Sequence, residues 1–118
     1  MKRVVIINAN REYAESLKSY IGSIGHETVA IIESIEALFL SQETQLANVA
    51  IVDSSIEKKD DGIEFAKALR ELNKEIDIIF TLPTLSRDFE ESLREINPSR
   101  VLLKPLDRNE LRVALKML

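Results

Sequence analysis

The chain is 118 residues long, the size of one domain, which leaves room for a single core and none for a second. With 45% apolar and 31% charged residues it is not a disordered chain, and a net charge of −4 removes the electrostatic motive for binding nucleic acid or an anionic membrane, which favours clustered Lys and Arg. The lack of cysteine and the single histidine exclude disulfides, thiolate chemistry and the usual zinc sites, so the expected setting is cytoplasmic and the expected partners are other proteins.

The first element is Val4-Val5-Ile6-Ile7, a strand expected over residues 3 to 8 that stops on Asn8. Met1-Lys2-Arg3 and four apolar residues are too brief for a signal peptide, and no apolar run approaches the roughly 18 residues of a membrane span. Tyr13, Leu17, Tyr20, Ile21 and Ile24 then recur on one face of a helix from Arg11 to Ile24, with Asn10 as N-cap and Gly25 as stop. A strand at 27 to 32 leads to a helix from Ser34 or Ile35 through Leu46 that should turn Ile35, Leu38 and Phe39 inward. The third strand, 48 to 53, is Val49-Ala50-Ile51-Val52 closed by Asp53, and the helix after it, Gly62 to Asn73, presents Ile63, Phe65, Ala66, Leu69 and Leu72.

A fourth strand at 76 to 81 precedes a helix capped by Ser86, whose stripe Phe89, Leu93 and Ile96 runs until Pro98. Val101-Leu102-Leu103 in the strand at 100 to 103 stops on Lys104, and the last helix follows Asp107 with Leu111, Leu115 and Leu118 on one side. Short apolar runs alternating with amphipathic helices are the pattern of buried parallel strands and their crossovers. Five such pairs predict an α/β, (βα)5 chain: a doubly wound five-stranded parallel sheet in a three-layer α/β/α sandwich. No repeat or linker interrupts residues 1–118, so a single domain is expected, with any effector domain outside this chain.

In such a sheet ligands gather at the carboxyl ends of the strands, where Asn8, Asp53 and Lys104 each stand. A strand-end carboxylate is a nucleophile toward an activated phosphoryl group once a cation offsets the developing charge, and Lys104 before Pro105 supplies a point charge. Each residue alone is equally well read as a turn aspartate and a surface lysine. His26 reads as a turn residue, and Tyr13, Tyr20, Phe65 and Phe89 as members of helix-core stripes. The three glycines make no phosphate-cradling motif, which counts against a nucleotide enzyme.

Taken together, Asp53, Lys104-Pro105-Leu106-Asp107, Asp61-Gly62-Ile63-Glu64-Phe65, Lys2-Arg3-Val4-Val5-Ile6-Ile7 and Gly25-His26-Glu27 resemble the receiver domains of two-component response regulators. The resemblance covers the whole chain and implies the flavodoxin-like fold of chemotaxis regulators, with Asp53 as phosphoacceptor, Lys104 as its companion and a histidine kinase or effector domain as partner. It also implies Mg²⁺ held by Asp53, a backbone carbonyl at Ser55 and two adjacent acids at the end of the first strand. Those two positions are Asn8 and Ala9, and Asn10 follows, so the resemblance leaves at most weak Mg²⁺ binding.

The switch positions depart as well. Val101 stands where the family turns an aromatic residue, and gapless alignment puts Leu82 at the switch hydroxyl, which a slip of one residue would restore as Thr81. Asp60 and Asp61 are acids on the loop beyond Asp53, but that loop in the family heads away from the metal. The expected function is therefore a pseudo-receiver working through protein contacts, with a phosphoacceptor receiver as the alternative. Arg108, Arg112 and Lys116 on the Asp107-Leu118 helix, beside Asp88, Glu90, Glu91 and Glu95, suit a two-fold homodimer, although two solvated faces with i, i+4 pairs are the commoner meaning of such a pattern.

Overall fold

A computed structural model describes residues 1–118. It contains β1 (Arg3–Ile7), α1 (Arg11–Ser23), β2 (Glu27–Ile32), α2 (Ile35–Leu40), a 3₁₀ turn (Glu43–Leu46), β3 (Val49–Asp53), α3 (Gly62–Leu72), β4 (Asp77–Leu82), α4 (Arg87–Ile96), β5 (Arg100–Leu103) and α5 (Arg108–Met117). All strand pairings are parallel and the order is β2-β1-β3-β4-β5, the flavodoxin-like (βα)5 arrangement. No helix is long and apolar enough to cross a membrane.

Alternation along the central strands divides the core. Ala50, Val52, Phe80 and Leu82 point to the face covered by α2, α3 and α4, where Phe65, Leu69, Phe89 and Leu93 meet them. Val49, Ile51 and Ile79 point to the other face, beneath Leu17 and Ile21 of α1 and Leu111 and Leu115 of α5. Strand β3 is buried along its whole length, as expected of a strand covered on both faces.

Side chains fix where the helices begin. Asn10 accepts from Tyr13 N–H, Ser34 from Ala37 N–H, Ser86 from Phe89 N–H, and Asp107 from the N–H groups of Asn109 and Glu110. Gly25, at φ 91°, makes the left-handed turn after α1.

The second helix corrects the sequence expectation. It ends at Leu40 rather than Leu46, because Ser41 and Thr44 turn their hydroxyls to local partners: Thr44 donates to Ser41 at 2.9 Å and Ser41 donates to Glu43 at 3.3 Å. Within the helix Leu38 is the buried residue, and Phe39, expected inward, faces outward at 58% exposed. At the β2 edge the register against β1 shifts between Val4 and Val5, a bulge on the β2 side.

Candidate functional site

The site grows from the alternation of β3. Val49 and Ile51 lie on the α1 and α5 face, so Asp53, two residues on, emerges there at the strand's carboxyl end. It is 7% exposed, and its Oδ1 forms an ion pair with Lys104 Nζ and accepts from Thr81 Oγ1 at 3.3 Å. Lys104 reaches it from the end of β5, next to β4, and Thr81 stands opposite it in the β3–β4 register.

Beside this trio the end of β1 is closed by two carboxamides. Asn8 is 7% exposed, and its Oδ1 accepts from Asn10 N–H at 2.8 Å; Asn10 Oδ1 accepts in turn from Tyr13 N–H at 3.0 Å. Ala9 between them is exposed and brings no donor atom. Together Asn8, Asn10, Tyr13, Asp53, Lys104, Pro105 and Leu106 line a cleft of about 400 Å³.

Tyr13 is a correction. Its helical spacing placed it in a core stripe, yet it is 36% exposed and lines the cleft, because the buried stripe of α1 runs through Ala14, Leu17 and Ile21 and leaves Tyr13 at its edge. Burial and, after it, the Asp53 carboxylate push its phenol pKa up, against a smaller opposing pull from Arg108. Its place three residues after the N-cap was the available signal.

The loop beyond Asp53 is pinned elsewhere. Asp61, 5% exposed, spends both carboxylate oxygens on it, accepting from Ile56 N–H at 2.7 Å, Glu57 N–H at 3.0 Å and Lys58 N–H at 2.9 Å. Gly62 packs against the end of β3: its N–H donates to Ser54 at 2.9 Å, and an added methyl would overlap the Asp53 carbonyl oxygen. Asp60 stands at φ 61° and donates its N–H to Ser55 Oγ at 2.9 Å. Ser55 and Asp60 line a different cavity, of about 330 Å³, on the α4 side with Ser54, Thr84 and Phe89. Asp60 and Asp61 therefore line no part of the Asp53 cleft.

The sequence matches the response regulator receiver domain over residues 4–116. The chain belongs to this family. As a receiver domain it is a signalling module that works through protein partners. Its fold is similar to the receiver domain of a modulated diguanylate cyclase from Desulfovibrio desulfuricans G20 at TM-score 0.84 and 22% identity, covering 99% of this chain and 92% of that one. It is also similar to a CheY-like receiver from Methanospirillum hungatei JF-1, with TM-score 0.83, 18% identity, and 99% and 92% of the two chains covered. The chemotaxis protein CheY4 of Vibrio cholerae gives 0.83 and 21%, over 99% and 98%. At these identities the structural likeness speaks to fold alone. A comparison with curated proteins found no match.

The Mg²⁺ that the family implies asks for near-octahedral oxygen donors, chiefly carboxylates and water. In this cleft the one carboxylate, Asp53, has its Oδ1 paired with Lys104, the Asn8 oxygen is engaged by a backbone N–H, and Ala9 contributes no side-chain oxygen. Nowhere do three His, Cys, Asp or Glu side chains converge. These residues do not fit the ion.

Proposed function

We propose that this receiver is a pseudo-receiver, which signals through protein contacts with little or no Mg²⁺-dependent phosphorylation of Asp53. One observation carries the reading: the groups that should hold a cation beside Asp53 are Asn8, whose oxygen is tied into the turn, and Ala9, which has no side-chain oxygen, while Lys104 already pairs with Oδ1 of Asp53. Without an added cation, the charge developing on a phosphoryl group has Lys104 alone to offset it. Incubation with a small phosphoryl donor and Mg²⁺, followed by intact mass measurement, tests this. No mass change is expected, and a phosphoryl gain that vanishes in Asp53→Asn would overturn it.

The alternative, a phosphoacceptor receiver served by a histidine kinase, is favoured by the convergence of Thr81 and Lys104 on Asp53. Against it, Val101 puts no aromatic ring on β5 and is 38% exposed. The partner surface under either reading is the α4, β5 and α5 side, where Leu85, Val101, Leu103, Val113 and Met117 are exposed. Arg108 turns away from it, lying 5.1 Å from the Tyr20 ring centroid and donating to Ser16 at 3.0 Å, so a homodimer through α5 would rely on Arg112 and Lys116 for positive charge. A cytoplasmic setting follows from this reading.

A further inference from the structure

The residues that leave the cleft poor for a cation leave it well supplied with donors. Backbone N–H groups fix which end of each carboxamide faces the turn: Oδ1 of Asn8 must meet Asn10 N–H, and Oδ1 of Asn10 must meet Tyr13 N–H. Each Nδ2 is then free of the turn and donates to no protein acceptor; Asn8 as a whole is 7% exposed and lines the cleft. Lys104 Nζ satisfies Asp53 with one N–H and has two more, and its side chain is 35% exposed.

Asp53 and Lys104 cancel, so the lining carries no net charge to repel an anion. The other walls are the Tyr13 ring, Pro105 and Leu106, in a cleft of about 400 Å³, far more than a bare ion fills and at the low end of small-molecule sites.

We propose that this cleft binds a small organic carboxylate, its head group held by the Asn8 and Asn10 carboxamides and Lys104 and its apolar body laid against Tyr13, Pro105 and Leu106. A planar carboxylate has about four lone-pair positions, enough to accept from these donors together. The inference rests on the reading of the cleft as a poor cation site, and it assigns that site a ligand class of opposite charge. Such a ligand would give the receiver a chemical input without group transfer.

The test is an NMR titration of the ¹⁵N-labelled chain, following the side-chain amides of Asn8 and Asn10, with benzoate as probe and acetate as its truncated counterpart at constant ionic strength. For a ligand of about nine heavy atoms, saturable shifts at both amides with a Kd of roughly 1–10 mM are expected, and acetate should bind at least about tenfold more weakly. Asn8→Asp keeps an oxygen for Asn10 N–H, so the turn survives, but replaces a donor with a charge; it should abolish the benzoate response. Linear, unsaturable drift, or equal benzoate affinity in Asn8→Asp, overturns the inference. A parallel Mg²⁺ titration separates it from its premise: Mg²⁺ saturating the wild-type cleft overturns both conclusions, whereas failure of both Mg²⁺ and benzoate overturns the carboxylate site alone.

Discussion

Thr81 lies directly opposite Asp53 in the parallel register of β3 and β4, and its hydroxyl donates to the carboxylate at 3.3 Å. Thr81 is 3% exposed, so Thr81→Val, which keeps shape and volume, removes the donor without opening the site. The expected loss is about 1 kcal/mol, small for a bond to a charged acceptor because the contact is long. Urea denaturation measures it, and Thr81→Ser should recover most of the difference. Equal stability of Thr81→Val and wild type would show that the hydroxyl does not support the carboxylate.

Lys104 and Asp53 form the strongest electrostatic contact in the cleft. Removing one partner of a fully buried pair costs about 3–5 kcal/mol, but the Lys104 side chain is 35% exposed, so water replaces part of what is lost. Lys104→Ala should therefore destabilise by about 1–2 kcal/mol. The double variant with Asp53→Asn should lose less than the sum of the single changes, since neither is left with an unpaired charge. Additive losses would show that the two residues do not interact.

Asp61 predicts a sharper contrast with its neighbour. It gathers three backbone N–H groups, while Asp60 is exposed and accepts no hydrogen bond. Asp61→Ala should cost about 2–3 kcal/mol by chemical denaturation, whereas Asp60→Asn, which removes the charge and keeps a residue that tolerates the left-handed backbone there, should cost less than about 0.5 kcal/mol. Equal effects would remove Asp61 as the organiser of the loop.

His26 gives a pH dependence. Its Nδ1 accepts from Lys2 N–H at 2.8 Å, which requires the neutral ring, and burial, then the amino-terminal charge and Lys2, lower its pKa below the usual 6.5. The unfolded chain then binds the proton first as pH falls, so this contribution to stability is full above about pH 6.5 and is lost as pH drops through that value toward the lower folded pKa. Thermal midpoints measured from pH 7.5 to 5 should fall less in His26→Gln than in wild type. Parallel slopes would show that His26 is not the responsible group.

Strand ends and helix starts were legible because each is written in adjacent residues: an apolar run stopped by Asn8, Asp53 or Lys104, and Asn10, Ser34, Ser86 or Asp107 holding the N–H groups that follow. What periodicity missed depends on how a helix is rotated over the sheet. The stripe through Leu17 and Ile21 is real, but its buried member in the first turn is Ala14, and Tyr13 beside it becomes a cleft wall. In the second helix six residues hold too little periodicity to fix the phase, so Leu38 and Phe39 read alike although only Leu38 is buried, and the hydroxyls of Ser41 and Thr44 end the helix early. Gapless spacing pointed to Leu82, but strand parity decides: Leu82 enters the core beside Phe80, and Thr81 alone faces Asp53.

The register shift in β2 has a consequence for assembly. An exposed edge strand is a template on which further chains can pair, and a bulge twists that template out of line. The opposite edge, β5, is four residues long. With one edge kinked and the other short, continuation of the sheet from molecule to molecule is disfavoured at both ends, which protects against runaway strand pairing when the chain is abundant. Any self-association would then use side-chain surfaces on the helices rather than the sheet edges.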